Sequence, residues 1–172
     1  VLMDQEKNFS SEGGWDALAR IYPGGLILQD FDHHRQNRRI MNAAFRASAI
    51  RDYRERMAET MAELLASWPK DTPFCFYTAI KDLTLRVGGA VFMGLPLDGD
   101  LAKQINRAIT DEIRASVTPI RQAIPVTPMW HGVRGRDFLR ETFRTMIPER
   151  RAKGGDDFFS QMCNATDEDG KS

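Results

Sequence analysis

Asp30-Phe-Asp-His-His-Arg-Gln-Asn-Arg-Arg-Ile-Met-Asn-Ala-Ala-Phe45 reads as a helix that opens at an acidic turn. Asp30 or Asp32 can accept hydrogen bonds from the free N–H groups of its first turn. His33, His34, Arg35, Arg38 and Arg39 crowd the first half, and Ile40, Met41, Ala44 and Phe45 give an apolar stripe toward the end. His34 and Arg38 are four apart and so lie one above the other on one helix face. Both donate hydrogen bonds, and a guanidinium meets a carboxylate bidentately. The stretch is a helix with a cationic clamp for an anionic oxygen. His33 and His34 are neighbours, point about 100° apart and cannot readily share a metal.

Working outward, the spacing predicts a mainly α fold with little or no sheet. Upstream, Ser10-Ser-Glu-Gly-Gly14 signals a turn or cap, and Trp15 to Tyr22 a short helix broken by Pro23-Gly-Gly25. Downstream, Ile50, Tyr53, Met57, Met61, Leu64 and Trp68 recur at amphipathic spacing, predicting a helix over Ser48–Trp68. Phe74 to Tyr77 suggests a brief extended piece before a third helix over Thr78–Met93. Gly88-Gly89 inside that helix lowers its propensity by about 1 kcal/mol per glycine, which points to a second backbone passing close by. Gly94 to Gly99 reads as a loop. A fourth helix starts near Asp98 or Asp100, with Leu101, Ile105, Ala108, Ile109, Ile113, Ser116 and Val117 on its inner face. Glu112 falls on that same face and is discordant there. Thr118 to Trp130 is a proline-rich apolar loop. A fifth helix over Gly132–Lys153 follows, kinked at Pro148 and stopped by Gly154-Gly155. Arg150, Arg151 and Lys153 suit its dipole. Asp156 or Asp157 then caps a last helix through Cys163.

The 172 residues suffice for one domain with a real core, and 42% hydrophobic with 28% charged residues is ordinary for a globular chain. Formal net charge is zero, so nothing draws the chain generally to nucleic acid or acidic membranes. No apolar run of about 18 residues is present to span a bilayer. No charged-then-apolar leader follows Val1, so a soluble cytoplasmic protein is expected; an anchor upstream of Val1 stays open. Cys75 and Cys163 form neither a disulfide framework nor a metal spacing and read as buried free thiols. No His-Glu-x-x-His, phosphate-binding loop, dinucleotide fingerprint or nucleophile elbow occurs.

His34-Arg-Gln-Asn-Arg38-Arg39 followed by Ala44-Phe45 resembles the C helix of the cytochrome P450 family, the haem-thiolate monooxygenases, in which a His and an Arg at this spacing bind the haem propionates. Gly24-Gly-Leu-Ile-Leu28 resembles the loop that leads into it. Thr118-Pro119 and Ile124-Pro-Val-Thr-Pro128 resemble the region between the F and G helices. Ile147-Pro-Glu-Arg-Arg151, Asp157-Phe-Phe-Ser160 and Ala165-Thr-Asp-Glu-Asp-Gly170 resemble the end of the G helix, the H helix and the turn into the long central helix. The intervals resemble most those of cyanobacterial and retinoid-or-sterol-type members.

The resemblance covers roughly the B to H helices. It implies that residues 1–172 are part of a single domain whose N-terminal β part, oxygen-activating helix and cysteine loop are not in this sequence. Cys75 and Cys163 both lack the Phe-x-x-Gly-x-Arg-x-Cys-x-Gly context of the family's axial ligand. Glu141-Thr-Phe-Arg144 has the family's Glu-x-x-Arg spacing at the wrong place in the order, and reads as an exposed helix pair. The implied function is that of a parent enzyme with haem b, taking electrons from NAD(P)H through a ferredoxin or flavoprotein reductase. It would insert one oxygen atom from O2 into an apolar organic substrate. His34 and Arg38 would hold the haem, and Leu26, Ile27, Ile120, Ile124 and Met129 would line substrate access. No catalytic residue and no metal ligand is expected in this stretch, which by itself would be inactive. The alternative is a non-catalytic all-α module that binds an apolar ligand or a protein partner.

Overall fold

The computed structural model describes residues 8–95 and 99–166. Seven α-helices carry the described chain, and no strand occurs among these residues. They are α1 (Ser11–Trp15), α2 (Phe31–Asn42), α3 (Ala47–Ala66), α4 (Phe76–Met93), α5 (Asp100–Ser116), α6 (Pro128–Lys153) and α7 (Phe158–Asn164). The mainly α reading therefore holds. The resemblance noted for Asp167 to Gly170 lies outside the described residues, as does the Asp98 start for the fourth helix.

Two antiparallel helix pairs make the body. In α3 and α4, Tyr53, Leu64, Leu83, Val87 and Val91 interdigitate as a buried cluster with Met57, Met61 and Ile80. Tyr53 near the start of α3 meets Phe92 near the end of α4, with ring centroids 5.9 Å apart. At the opposite ends Trp68 meets Phe76, so the two helices run in opposite directions. The second pair approaches closer. A Cβ built on Gly132 would fall 2.3 Å from Ala115 Cβ, and one on Gly135 would fall 2.8 Å from the Ala108 carbonyl oxygen. Advancing along α6 thus retreats along α5, and Leu139 closes the seam against Ile105. The small residues let the α5 and α6 backbones touch. Ile21, Ala115 and Met129 form a third cluster at the end of this seam.

The junctions are held by one arginine. Arg150 Nη2 donates to the carbonyl oxygens of Met93 (3.3 Å) and Gly94 (2.9 Å), at the end of α4. Its Nη1 meets the buried carboxylate of Asp157 at 3.1 Å. Asp157 also caps α7 by accepting from Ser160 N at 2.9 Å. Gly94 sits at φ +56, where a Cβ would collide with both Arg150 and Asp157. Arg150 and Arg151 are structural, as expected, but through these tertiary bonds and the bond from Arg151 Nε to the Cys163 carbonyl oxygen (3.1 Å) more than through a dipole.

Several expectations change. Gly88 and Gly89 have nothing within 4 Å of a built Cβ, so no backbone passes there; the close approach is at Gly132 and Gly135. Phe76 and Tyr77 are helical, because α4 starts directly after Cys75. Trp15 ends the five-residue α1 and 3₁₀ turns follow it, in place of a helix to Tyr22. Asp30 turns its carboxylate onto Ser10, Ser11 and Glu12, tying α1 to the start of α2. The long loop ends at Thr127, whose hydroxyl accepts from Trp130 N and caps α6, with Pro128 at the first helical position. That helix continues through Pro148. On α5, Leu101, Ile113 and Val117 are exposed, so its inner face is narrower than the apolar pattern implies. Cys75 is exposed and Cys163 alone is a buried thiol.

Candidate functional site

His34 and Arg38 both lie on α2, which buries none of its residues. His34 is half-buried and Arg38 exposed. Upstream, Asn37 Nδ2 donates to Gln29 Oε1 at 2.6 Å, and Gln29 Nε2 donates to the Gly24 carbonyl oxygen at 2.7 Å. These bonds lock the Gly24–Gln29 turn against the helix that carries the clamp. At the other end, the buried Tyr53 hydroxyl donates to the Ala44 carbonyl oxygen at 3.1 Å and pins the helix exit to α3. Arg35 is engaged by Asp32 at 3.0 Å. No hydrogen bond or ion pair holds Arg38 among the described residues. An exposed guanidinium one turn from an imidazole, with no acid claiming it, suits a dianionic ligand.

The five residues expected at substrate access are not brought together in one cavity. Ile27 is exposed in the turn before α2, and Leu26 beside it is half-buried. Ile120 and Ile124 are exposed on the loop between α5 and α6. Met129 is fully buried in the first turn of α6, packed with Ile21 and Ala115.

An apolar cavity lies elsewhere, between α4, α5 and α6. It has a volume of about 380 Å³, and Leu85, Gly88, Gly89, Ile109, Leu139 and Phe143 supply much of its wall. Gly88 and Gly89 open the α4 side because they carry no side chain. Glu112 also lines it. Burial pushes its carboxyl up to about 7, and the nearby Arg136 guanidinium only partly opposes this. Its discord with the apolar face of α5 is the sequence signal for this cavity. The paired glycines are the other signal, with the opposite physical meaning from the one expected.

No family model matches the chain. Its sequence is 33% identical over 174 residues to cytochrome P450 136 of Mycobacterium tuberculosis, covering 99% of this chain and 35% of that protein. It is 23% identical to pentalenene oxygenase of Streptomyces avermitilis, over 98% of this chain and 39% of that one. The fold matches a retinoic acid-bound cyanobacterial CYP120A1 structure with a TM-score of 0.80 at 20% identity, over 98% of this chain and 39% of that one. The chain belongs to the cytochrome P450 family. It spans about a third of the length of the curated relatives it matches.

The two cysteines lie in different surroundings. Cys163 is buried in α7, and burial raises its thiol above the ordinary value. Cys75 stands exposed at the start of α4, its sulfur accepting from the Thr78 hydroxyl, which lowers its thiol. No cluster of three or more His, Cys, Asp or Glu residues able to hold a metal occurs among the described residues. Glu141 and Arg144 pair at 3.3 Å on the exposed side of α6. No helix among the described residues is long and apolar enough to cross a membrane.

Proposed function

We propose that the protein containing this chain is a haem-dependent monooxygenase that inserts one oxygen atom from O2 into an apolar organic substrate. The observation that carries this reading is the match of nearly the whole chain to P450s that include an oxygenase. The residues present fit the propionate side of the haem: Arg38 is exposed and has no partner among the described residues, and His34 is one helical turn before it. In this reading His34 and Arg38 donate to the propionates and fix the cofactor's position. Haem, when bound, supplies the oxygen chemistry; this chain supplies its clamp and part of the apolar surround. Leu26, Ile27, Ile120 and Ile124 belong to the substrate entrance, where the exposed Ile27, Ile120 and Ile124 meet a substrate leaving water. Met129, buried against Ile21 and Ala115, anchors the end of the loop that carries Ile120 and Ile124.

Electrons come from NAD(P)H through a ferredoxin or flavoprotein reductase, and the protein works in the cytoplasm. The chain is one part of a single domain, and the residues that hold the iron and activate oxygen lie in the rest of it. The test is the reduced, carbon monoxide-bound spectrum of the full-length protein, beside that of its Arg38→Ala variant. The wild type should give the Soret band of thiolate-ligated haem, and the variant should retain less haem after gel filtration. Equal haem retention in both would remove the propionate role from Arg38. No such band in the wild type would remove the oxygenase reading.

A further inference from the structure

Between the α5–α6 seam and the haem clamp the chain runs as a continuous series of bonds. At the seam, Ile21 is fully buried against Ala115 and Met129. Its Cδ1 lies 3.2 Å from where a Cβ on Gly132 would stand, so the notch it fills depends on that residue being glycine. One turn further along α6, Arg136 Nη1 donates to the Arg20 carbonyl oxygen. From there the segment winds through turns closed by backbone bonds. Gly25 N donates to the Tyr22 carbonyl oxygen at 2.9 Å, Leu28 N to that of Gly25 at 2.8 Å and Gln29 N to that of Leu26 at 3.2 Å. Leu28 is itself buried. The Gln29 amide then donates to the Gly24 carbonyl oxygen at 2.7 Å and accepts from Asn37 at 2.6 Å. Asn37 stands on α2 three residues after His34 and directly before Arg38. Consecutive closed turns, fixed by a buried side chain at one end and an amide pair at the other, leave few free dihedrals, so a displacement at one end is passed to the other.

We infer that Ile21, Gln29 and Asn37 are positioning residues for the haem clamp: through residues 20–29, the seating of Ile21 at the end of the α5–α6 seam sets the aim of His34 and Arg38. The inference deepens the reading above and rests on it, because the propionate role of His34 and Arg38 is what makes their aim matter. Every bond of the relay joins two residues of this chain. The relay has two separable ends. The notch at Gly132 holds it to the helix pair, and the Gln29–Asn37 bond holds it to α2.

A double-mutant cycle in the full-length protein tests this. Ile21→Ala empties the notch, and Asn37→Leu cuts the relay at α2. Two rates are read: amide hydrogen exchange over Phe31–Asn42 in the haem-free protein, and haem transfer from the loaded protein to apomyoglobin. Each single variant should speed both rates about tenfold, the size of one lost hydrogen bond. The double variant should be no faster than the faster single one. Independent sites multiply, so a rise of about a hundredfold in the double variant would overturn the inference. So would α2 exchange that Ile21→Ala leaves unchanged. Leu139→Ala loosens the same seam about two turns along α6 from Gly132 and controls for general destabilisation. If it speeds α2 exchange as much as Ile21→Ala does, the inference is also overturned. Where Ile21→Ala does not fold, Ile21→Val carries the same cycle at smaller amplitude. Coupled α2 exchange with unchanged haem transfer would uphold the relay and refute the propionate role of His34 and Arg38.

Discussion

At the scale of single residues, Glu112 shows how environment resets chemistry. Water solvates an ordinary carboxylate; here Ile109 and the cavity wall replace that water, and the carboxyl is pushed up to about 7. The sign for stability follows from linkage. Between the ordinary glutamate range and about 7 the folded protein holds a proton that the unfolded chain has released. Stability contributed by the neutral carboxyl is therefore present below that window and lost as pH rises through about 7. Glu112→Gln should flatten the fall in stability between pH 5 and 7.5, by on the order of 1 kcal/mol after discounting for partial exposure. Denaturant melts at several pH values would check it; an unchanged pH slope would mean that water reaches the carboxyl. Glu141 and Arg144 make the contrasting case. Their pair is two-thirds exposed on both sides, and is worth at most a few tenths of a kcal/mol.

At the scale of elements, two pairs of glycines act in opposite senses. Gly132 is where α6 rests on Ala115 and the Asp111 carbonyl oxygen, so Gly132→Ala must push α5 and α6 apart. It should destabilise by about 1–3 kcal/mol, as overpacking does. Gly88 stands inside α4 with open space around it. Gly88→Ala should stabilise the helix by about 1 kcal/mol through propensity alone. Opposite shifts of the melting temperature in the two variants would check both; a loss from Gly88→Ala would mean that something in the full-length protein fills the space beside α4. Arg150 belongs here too, because it joins the end of α4 to α6 and α7. Arg150→Met leaves the buried Asp157 with no cation and should cost about 3 kcal/mol. Restoration of stability by the double variant Arg150→Met, Asp157→Asn would show that the stranded charge is the cause.

At the scale of the whole molecule, the apolar surface is only partly matched. Among the described residues, three small clusters form in place of one continuous core. Phe76, Tyr77, Ile113, Val117 and Val126 are all more than half exposed. The 172 residues prepared alone should bind a dye specific for exposed apolar surface and melt without a sharp transition. A cooperative melt of a soluble monomer would contradict this.

Much of the fold is legible in the order of the residues. The periodicities of α3, α4 and α5 are local properties of side-chain spacing, and each helix forms within a few residues of its predicted range. The cap at Asp157 is likewise local, since a carboxylate reaches the N–H three residues on. His34 and Arg38 share a face because both lie on one helix, so the clamp needs no tertiary information; its ligand is a matter for the haem-retention experiment. What local reading misplaces is non-local in origin. A glycine pair inside a helix signals close approach or open space, and only the neighbour decides which. Asp30 faces two helix starts, and the position of α1 decides which one it satisfies. Met129 reads as part of an apolar loop, and its full burial depends on Ile21 and Ala115, which lie 108 and 14 residues before it in the chain. The sequence by itself determined helices α3, α4 and α5, the cap at Asp157 and the cationic face of α2, because backbone and side-chain geometry over three or four residues suffices for these. Only the tertiary structure decided that Glu112 lines an apolar cavity and that Arg150 ties three helices together, because burial and desolvation come from residues far apart in the chain.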